Sequence, residues 1–281
     1  MHVKLAETAG FCMGVSLALK RLDSLLENAP DGPICTLGPI IHNPQVLEMY
    51  ARRGVRRIEG PGEAPPCSTV VIRAHGVPVG VERALEAHGV QVVDATCPKV
   101  KKAQLLIERQ TQHGRTLLLY GEENHPEVQG LLSYASTEAL VFGGLEELEG
   151  QLEPGRDYVL AAQTTQDQEV FQRIRDYVRA HATHAVPVLD TICDATRVRQ
   201  EEAIAIARTV DRMVVVGGYE SGNTRRLAKV VSQQGVPCVH VETAAELDPA
   251  DFAGCRTVGL TAGASTHDKT IEEVRALLTA L

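Results

Sequence analysis

Three cysteines stand at comparable places along the 281-residue chain: Cys12, Cys97 and Cys193, which are 85 and 96 residues apart. Each follows an apolar, strand-like run and precedes a helix-like stretch. Two of them share a longer signature. Val92-Val93-Asp94-Ala95-Thr96-Cys97 and Val188-Leu189-Asp190-Thr191-Ile192-Cys193 both read Val-x-Asp-x-x-Cys, with Gln104 and Gln200 seven positions further on. Three thiolates from three parts of a chain suit a cubane iron–sulfur cluster in which one iron lacks a protein thiolate. Open coordination makes such an iron a Lewis acid, and the cluster also passes electrons. The competing chemistry is a structural zinc site of three cysteines and a histidine. Zinc of that kind is usually gripped by pairs two to four residues apart, and no two cysteines here are so spaced. Cys35, Cys67, Cys238 and Cys255 read as small buried hydrophobes.

Polar turns recur with the cysteines. One set begins about 30 residues after each: Gly38…His42-Asn43-Pro44, Gly121…Asn124-His125-Pro126-Glu127 and Gly217-Gly218…Ser221-Gly222-Asn223. A second set closes a later strand of each repeat: Arg73-Ala74-His75-Gly76, Gln163-Thr164-Thr165 and Thr261-Ala262-Gly263-Ala264-Ser265. Arg73 aside, their donors are neutral: His42, His75, His125, Thr164, Ser221, Asn223 and Ser265. Joined by backbone N–H groups at helix starts, such donors hold phosphate. A bound diphosphate favours imidazolium, since a unit charge pair at about 4 Å is worth roughly 4 kcal/mol at an effective dielectric of 20. Glu127 lies two residues past His125 at a helix start. Near phosphate and away from water its pKa rises, which suits a general acid. The other reading is a carboxylate at the positive end of a helix dipole. The remaining histidines lack the pattern.

The elements that must position these groups read as α/β. Ten short apolar runs, from Val3–Ala6 to Thr257–Leu260 and including Val186–Leu189, alternate with helical patterns such as Val15–Glu27, Lys99–Gln112, Gln168–His181 and Gln200–Thr209. Such alternation predicts mainly parallel sheets. The recurring block predicts three modules, at 14–97, 98–193 and 194–281. In open parallel sheets ligands bind at the C-terminal strand edge. Three such edges turned toward one another make one central site.

Composition excludes several other classes. With 44% apolar and 23% charged residues the chain is an ordinary globular one. There are 28 Lys and Arg against 36 Asp and Glu, a net charge of −8. That balance disfavours nucleic acid and anionic membranes as generic partners. No Trp and 4% aromatic content leave no stacking platform for single strands. No apolar run is long enough to span a bilayer, and Met1–Thr8 lacks a signal-peptide pattern, so a cytoplasmic location is expected.

In order along the chain, Gly10-Phe11-Cys12-Met13-Gly14-Val15, His42-Asn43-Pro44, Ala74-His75-Gly76-Val77, Asp94-Ala95-Thr96-Cys97-Pro98, His125-Pro126-Glu127-Val128, Gln163-Thr164-Thr165, Ile192-Cys193-Asp194-Ala195-Thr196, Ser221-Gly222-Asn223-Thr224-Arg225-Arg226-Leu227 and Thr261-Ala262-Gly263-Ala264-Ser265 resemble the IspH/LytB family, the 4-hydroxy-3-methylbut-2-enyl diphosphate reductases. The resemblance implies a cloverleaf of three pseudo-repeated α/β modules around a central [4Fe-4S] cluster, with residues 1–13 completing the third module. It implies that Cys12, Cys97 and Cys193 are the cluster ligands. His42, His75, His125, Ser221, Gly222, Asn223 and Ser265 match positions around the substrate diphosphate. Glu127 matches the proton-delivering carboxylate, Thr164 the threonine near the substrate hydroxyl, and Thr165 is its neighbour.

The implied reaction removes the allylic hydroxyl, bound at the open iron, as water with two electrons and two protons. Protonation of the allyl species at either end gives isopentenyl and dimethylallyl diphosphates, the last step of the non-mevalonate isoprenoid pathway. A ferredoxin or flavodoxin-type protein is the implied electron donor. Two positions depart from the family. Gly222 stands where many members have a second Ser, which predicts weaker diphosphate binding, and His267 stands where Pro is common. Two other functions fit the same residues: an iron–sulfur hydro-lyase, which needs no electron donor, and a non-catalytic iron–sulfur sensor of a phosphorylated metabolite, to which Glu127 and Thr164 would be dispensable.

Overall fold

The computed structural model describes residues 1–28 and 31–281. Its strands are β1 (His2–Leu5), β2 (Ile34–Leu37), β3 (Arg56–Ile58), β4 (Thr69–Ile72), β5 (Gln91–Asp94), β6 (Thr116–Tyr120), β7 (Ala139–Phe142), β8 (Tyr158–Ala162), β9 (Arg212–Val216), β10 (Cys238–Val241) and β11 (Thr257–Ala262). Its α-helices are α1 (Met13–Asn28), α2 (Pro44–Arg52), α3 (Val79–Ala87), α4 (Pro98–Thr111), α5 (Pro126–Leu132), α6 (Leu145–Leu148), α7 (Gln168–His181), α8 (Asp194–Ala207), α9 (Gly222–Ser232) and α10 (Asp268–Ala280). The strands form three sheets, ordered β3-β2-β4-β5, β7-β6-β8 and β1-β11-β9-β10, and every strand pairing is parallel.

The central strands are apolar runs because helices cover both faces of a parallel sheet. Side-chain alternation sorts each strand into two cores. Leu118, Tyr120, Leu160 and Ala162 join Phe142 and Phe171 on one face, while Leu117, Leu119, Val159 and Ala161 join Ile107 and Val128 on the other. The β9 strand divides in the same way, with Val214 and Val216 in one core and Met213 and Val215 in another.

The sheets share one plan. In each, the first strand of the repeat (β2, β6 or β9) is flanked by the second (β3, β7 or β10) and the third (β4, β8 or β11). A fourth segment, the one leading to a cysteine, then pairs with the third strand. It is β5 before Cys97 and β1 before Cys12. Before Cys193 the expected strand Val186–Leu189 is not formed. Only a single parallel bridge joins Val188 to Leu160, with Leu160 N donating to Pro187 O and Leu189 N to Leu160 O. Pro187 has no N–H and cannot extend a ladder. Strands β3 and β7 and helices α3 and α6 are additions to the elements expected from sequence. All are short.

The chain divides into two compact units. One comprises Met1–Ser16, Ile41–Met49 and Asp194–Leu281; the other comprises Leu17–Ile40 and Tyr50–Cys193. Within the first, α8 pins the segment that leads to Cys12. Arg199, 4% exposed, donates to Ala262 O at 2.5 Å and to Gly10 O at 2.9 Å. One turn on, Glu202 accepts from Glu7 N, Thr8 N and the Thr8 hydroxyl. Desolvation pushes Glu202 up, yet these bonds outweigh it and hold the carboxyl below its ordinary range. Replacing Arg199 with Met leaves two buried carbonyls unmet. The expected cost is about 2–4 kcal/mol, read as a lower urea midpoint with an unchanged slope.

Candidate functional site

All three cysteines of the repeat sit in one local geometry. Each immediately precedes a helix: Cys12 before α1, Cys97 as the N-cap of α4 with Pro98 at its first position, and Cys193 before α8. Each cysteine's backbone N–H donates to a carbonyl of the turn that follows the third strand of its repeat. Cys12 N bonds Ala264 O at 3.1 Å, Cys97 N bonds Ala74 O at 2.9 Å, and Cys193 N bonds Thr164 O at 2.9 Å. None of the three is in a disulfide, and all are partly exposed. Cys35, by contrast, is buried in β2, and burial pushes its thiol up, as it does for Cys238 in β10. Cys67 is exposed at a positive φ of 59°, and Cys255 lies in a turn before β11.

In the unit containing α9, the donors interlock. Ser221 caps α9 by accepting from Thr224 N at 3.3 Å, and Gly222 and Asn223 form its buried first turn. Asn223 Oδ1 accepts from Ala264 N at 2.9 Å, so its NH₂ end is the donor available to an anion. Ser265 Oγ donates to His42 O at 3.2 Å and lies 3.4 Å from Ser221 Oγ. Asn43, 2% exposed, ties the two turns together. Its side chain donates to Ser265 O and accepts from Val46 N, capping α2. At Gly263 the turn approaches α9 so closely that a Cβ would lie 1.9 Å from Thr224 Oγ1. His267 caps α10 by accepting from Lys269 N at 3.0 Å and meets Phe11 edge-on at 5.4 Å. It thereby fills the turn position where Pro is common, without a contact to Ser265 among those described.

In the other unit the acid–base residues gather. His75 and His125 meet edge-to-face with ring centroids 5.5 Å apart. His125 caps α5, its Nδ1 accepting from Glu127 N at 3.1 Å. In that role Nδ1 is the acceptor, which leaves Nε2 as the ring's donor. Glu127 is 1% exposed. Thr164 N donates to one of its oxygens at 2.6 Å and Thr164 Oγ1 to the other at 2.9 Å. Burial pushes the Glu127 pKa up to about 7, against the lowering effect of these two bonds. Thr165 is the next residue, and its hydroxyl accepts from Gln163 Nε2 at 3.2 Å.

Sequence reasoning passed over Asn43 and Arg199 as individual residues. Asn before Pro at a helix start was a legible N-cap signal. Nothing in the sequence marked Arg199 as buried.

The LytB protein family model matches residues 3–279. The chain belongs to this family. It is 62% identical over the full length of both chains to the 4-hydroxy-3-methylbut-2-enyl diphosphate reductase of Oleidesulfovibrio alaskensis. To the reductase of the same name from Geobacter sulfurreducens it is 43% identical over 98% of this chain and 95% of that one. The solved E-1-hydroxy-2-methyl-but-2-enyl-4-diphosphate reductase from Plasmodium falciparum superposes with a TM-score of 0.94 at 25% identity, covering 99% of this chain and 88% of that one. A second solved structure, an (E)-4-hydroxy-3-methyl-but-2-enyl diphosphate reductase described as the terminal enzyme of the non-mevalonate pathway, gives 0.71 at 39% identity over the whole of both chains. In this LytB-family chain no helix among the described residues is long and apolar enough to cross a membrane.

The state of Glu127 has a consequence for stability. Its folded pKa of about 7 lies above the ordinary 4.5, so the folded protein holds a proton that the unfolded chain releases. Stability should therefore decline as pH rises from about 4.5 to about 7, by about 3 kcal/mol in total. In Glu127→Gln that decline should be missing from denaturation curves recorded across the same window.

Proposed function

We propose that this LytB-family chain catalyses the reductive dehydroxylation of 4-hydroxy-3-methylbut-2-enyl diphosphate to isopentenyl and dimethylallyl diphosphates, the last step of the non-mevalonate isoprenoid pathway. In that reaction the allylic C–O bond breaks and a C–H bond forms. Two electrons and two protons enter, and water leaves. Full-length identity with reductases of that name supports the reading. The single observation that carries it is Glu127, a buried carboxyl bonded twice to one threonine and poised to hold a proton near neutral pH.

The local setting of Cys12, Cys97 and Cys193 fits a [4Fe-4S] cluster with three protein thiolates. The three residues are outside any disulfide and partly exposed, stand at helix starts whose positive end suits an anionic ligand, and are held by one repeated backbone bond. When bound, the cluster supplies electrons and a Lewis-acidic iron. The module bounds 14–97, 98–193 and 194–281, completed by strand 1–13, belong to the same reading, which the shared strand order supports.

The chain's own residues take the remaining roles. Ser221, Gly222, Asn223 and Ser265 hold the diphosphate with hydroxyl, amide and helix N-terminal N–H groups. His42, His75 and His125 add ring donors, His125 through its Nε2–H. Neutral donors bind the anion without a competing cation that would keep Glu127 ionised. Thr164 fixes the Glu127 carboxyl through its amide and its hydroxyl, and in this reading Thr164 and its neighbour Thr165 serve the substrate hydroxyl. The departing oxygen takes its proton from Glu127. A ferredoxin or flavodoxin-type protein supplies the electrons, and the enzyme works in the cytoplasm.

Glu127→Gln keeps the shape of the site and removes the acid. Anaerobic turnover should fall by about 10²–10⁴-fold with iron content and diphosphate affinity retained. In the parent protein, turnover should decline as pH rises through about 7, because the protonated form is the active one. Normal turnover by the glutamine variant would contradict the assignment.

A further inference from the structure

The chain carries a net charge of −8, yet one groove of about 560 Å³ has the opposite sign. It lies in the unit built from Leu17–Ile40 and Tyr50–Cys193, lined by Arg21 of α1 and by Lys101, Lys102, Leu105, Leu106 and Arg109 of α4. The one carboxylate in its wall, Asp94, is bonded to Lys101 at 2.9 Å, and Glu82 lies 3.7 Å from the same ammonium. Arg21, Lys102 and Arg109 are exposed. Between the two α4 cations Leu105 is 59% exposed, and Leu17, one turn before Arg21, is exposed as well. Residues three and four apart share a helix face, so Lys102, Leu105, Leu106 and Arg109 make one patch.

An apolar centre with a cationic rim has the composition of a protein-contact surface, and its sign selects an acidic partner. Its position selects the kind of partner. Pro98 also lines the groove. Cys97 is joined to it by a peptide bond, with the two α-carbons about 3.8 Å apart. A protein docked here stands beside the thiol that the proposed function gives to the cluster.

We propose that this groove docks an acidic protein that carries one electron at a time, and that electrons enter at the Cys97 end of α4. The inference rests on the reductase reading above. Each docking oxidises the carrier by one electron and reduces the enzyme by one. Two dockings serve one turnover, and the two protons come from water through the site.

The test compares two reductants on the cluster-loaded protein and its Lys102→Glu/Arg109→Glu variant. One is an acidic [2Fe–2S] ferredoxin kept reduced; the other is reduced methyl viologen, which needs no docking face. At low salt the ferredoxin-driven rate should fall about tenfold or more in the variant through a higher KM for ferredoxin. Viologen-driven turnover and iron content should be unchanged. Added salt should slow the parent's ferredoxin reaction and leave the variant's nearly flat. The charge-preserving Lys102→Arg/Arg109→Lys variant should behave as the parent. Full ferredoxin-driven turnover in the charge-reversed variant would overturn the proposal. A parent protein that turns over with neither reductant would count instead against the reductase reading, and the docking proposal would fall with it.

Discussion

One backbone hydrogen bond, made three times, sets the terms for this protein. A cysteine N–H donates to a carbonyl in the turn after the third strand: Cys12 to Ala264, Cys97 to Ala74, Cys193 to Thr164. Each bond fixes a sulfur-bearing residue against a turn that also carries a polar donor, so cysteine and donor are set together. It also fixes where the next helix begins, because each cysteine stands at a helix start. The carbonyls so used lie two residues past strand ends, and those strands are held by ladders buried on both faces. Precision at the sulfur is therefore inherited from the sheet.

The same economy explains the setting of the Glu127 carboxyl. Thr164 accepts from Cys193 N through its carbonyl and binds Glu127 through its amide and hydroxyl. One residue thus aligns a cysteine and the carboxyl. Burial at 1% exposure raises Glu127, and the two bonds hold it short of the value burial alone would impose. His125, whose Nδ1 is engaged by Glu127 N, adds a donor without adding charge. A site of neutral donors keeps a buried carboxyl able to carry a proton at physiological pH, whereas a nearby lysine or arginine would have favoured its ionisation.

Much of this arrangement was legible in the residues. Repeated Val-x-Asp-x-x-Cys blocks and recurrent polar turns signalled three α/β units with chemistry at strand ends, and the sheets follow one strand order as that repeat requires. Local pattern gave α7 to the residue, since a capped amphipathic helix carries its own boundaries. The misses have physical causes. Val186–Leu189 has the apolar composition of a strand, but Pro187 offers no N–H on one side of the single bridge and the Thr191 hydroxyl takes the Ala162 N–H on the other. The edge strands β3 and β7 are only three and four residues long, and two of the three residues of β3 are arginines. Arg199 looks like any helix-surface arginine until α8 is packed against the Gly10 and Ala262 carbonyls, a tertiary fact with no local signature.

The central claim is that Cys12, Cys97 and Cys193 together hold an iron–sulfur cluster, and metal analysis tests it most directly. Protein purified without oxygen should carry about four irons and four sulfides per chain. Replacing any one of the three with Ser should lower both, whereas Cys35→Ser should leave both intact. Zinc in place of iron, or no metal in strictly anaerobic protein, would contradict the account and remove the electron path on which the proposed chemistry depends.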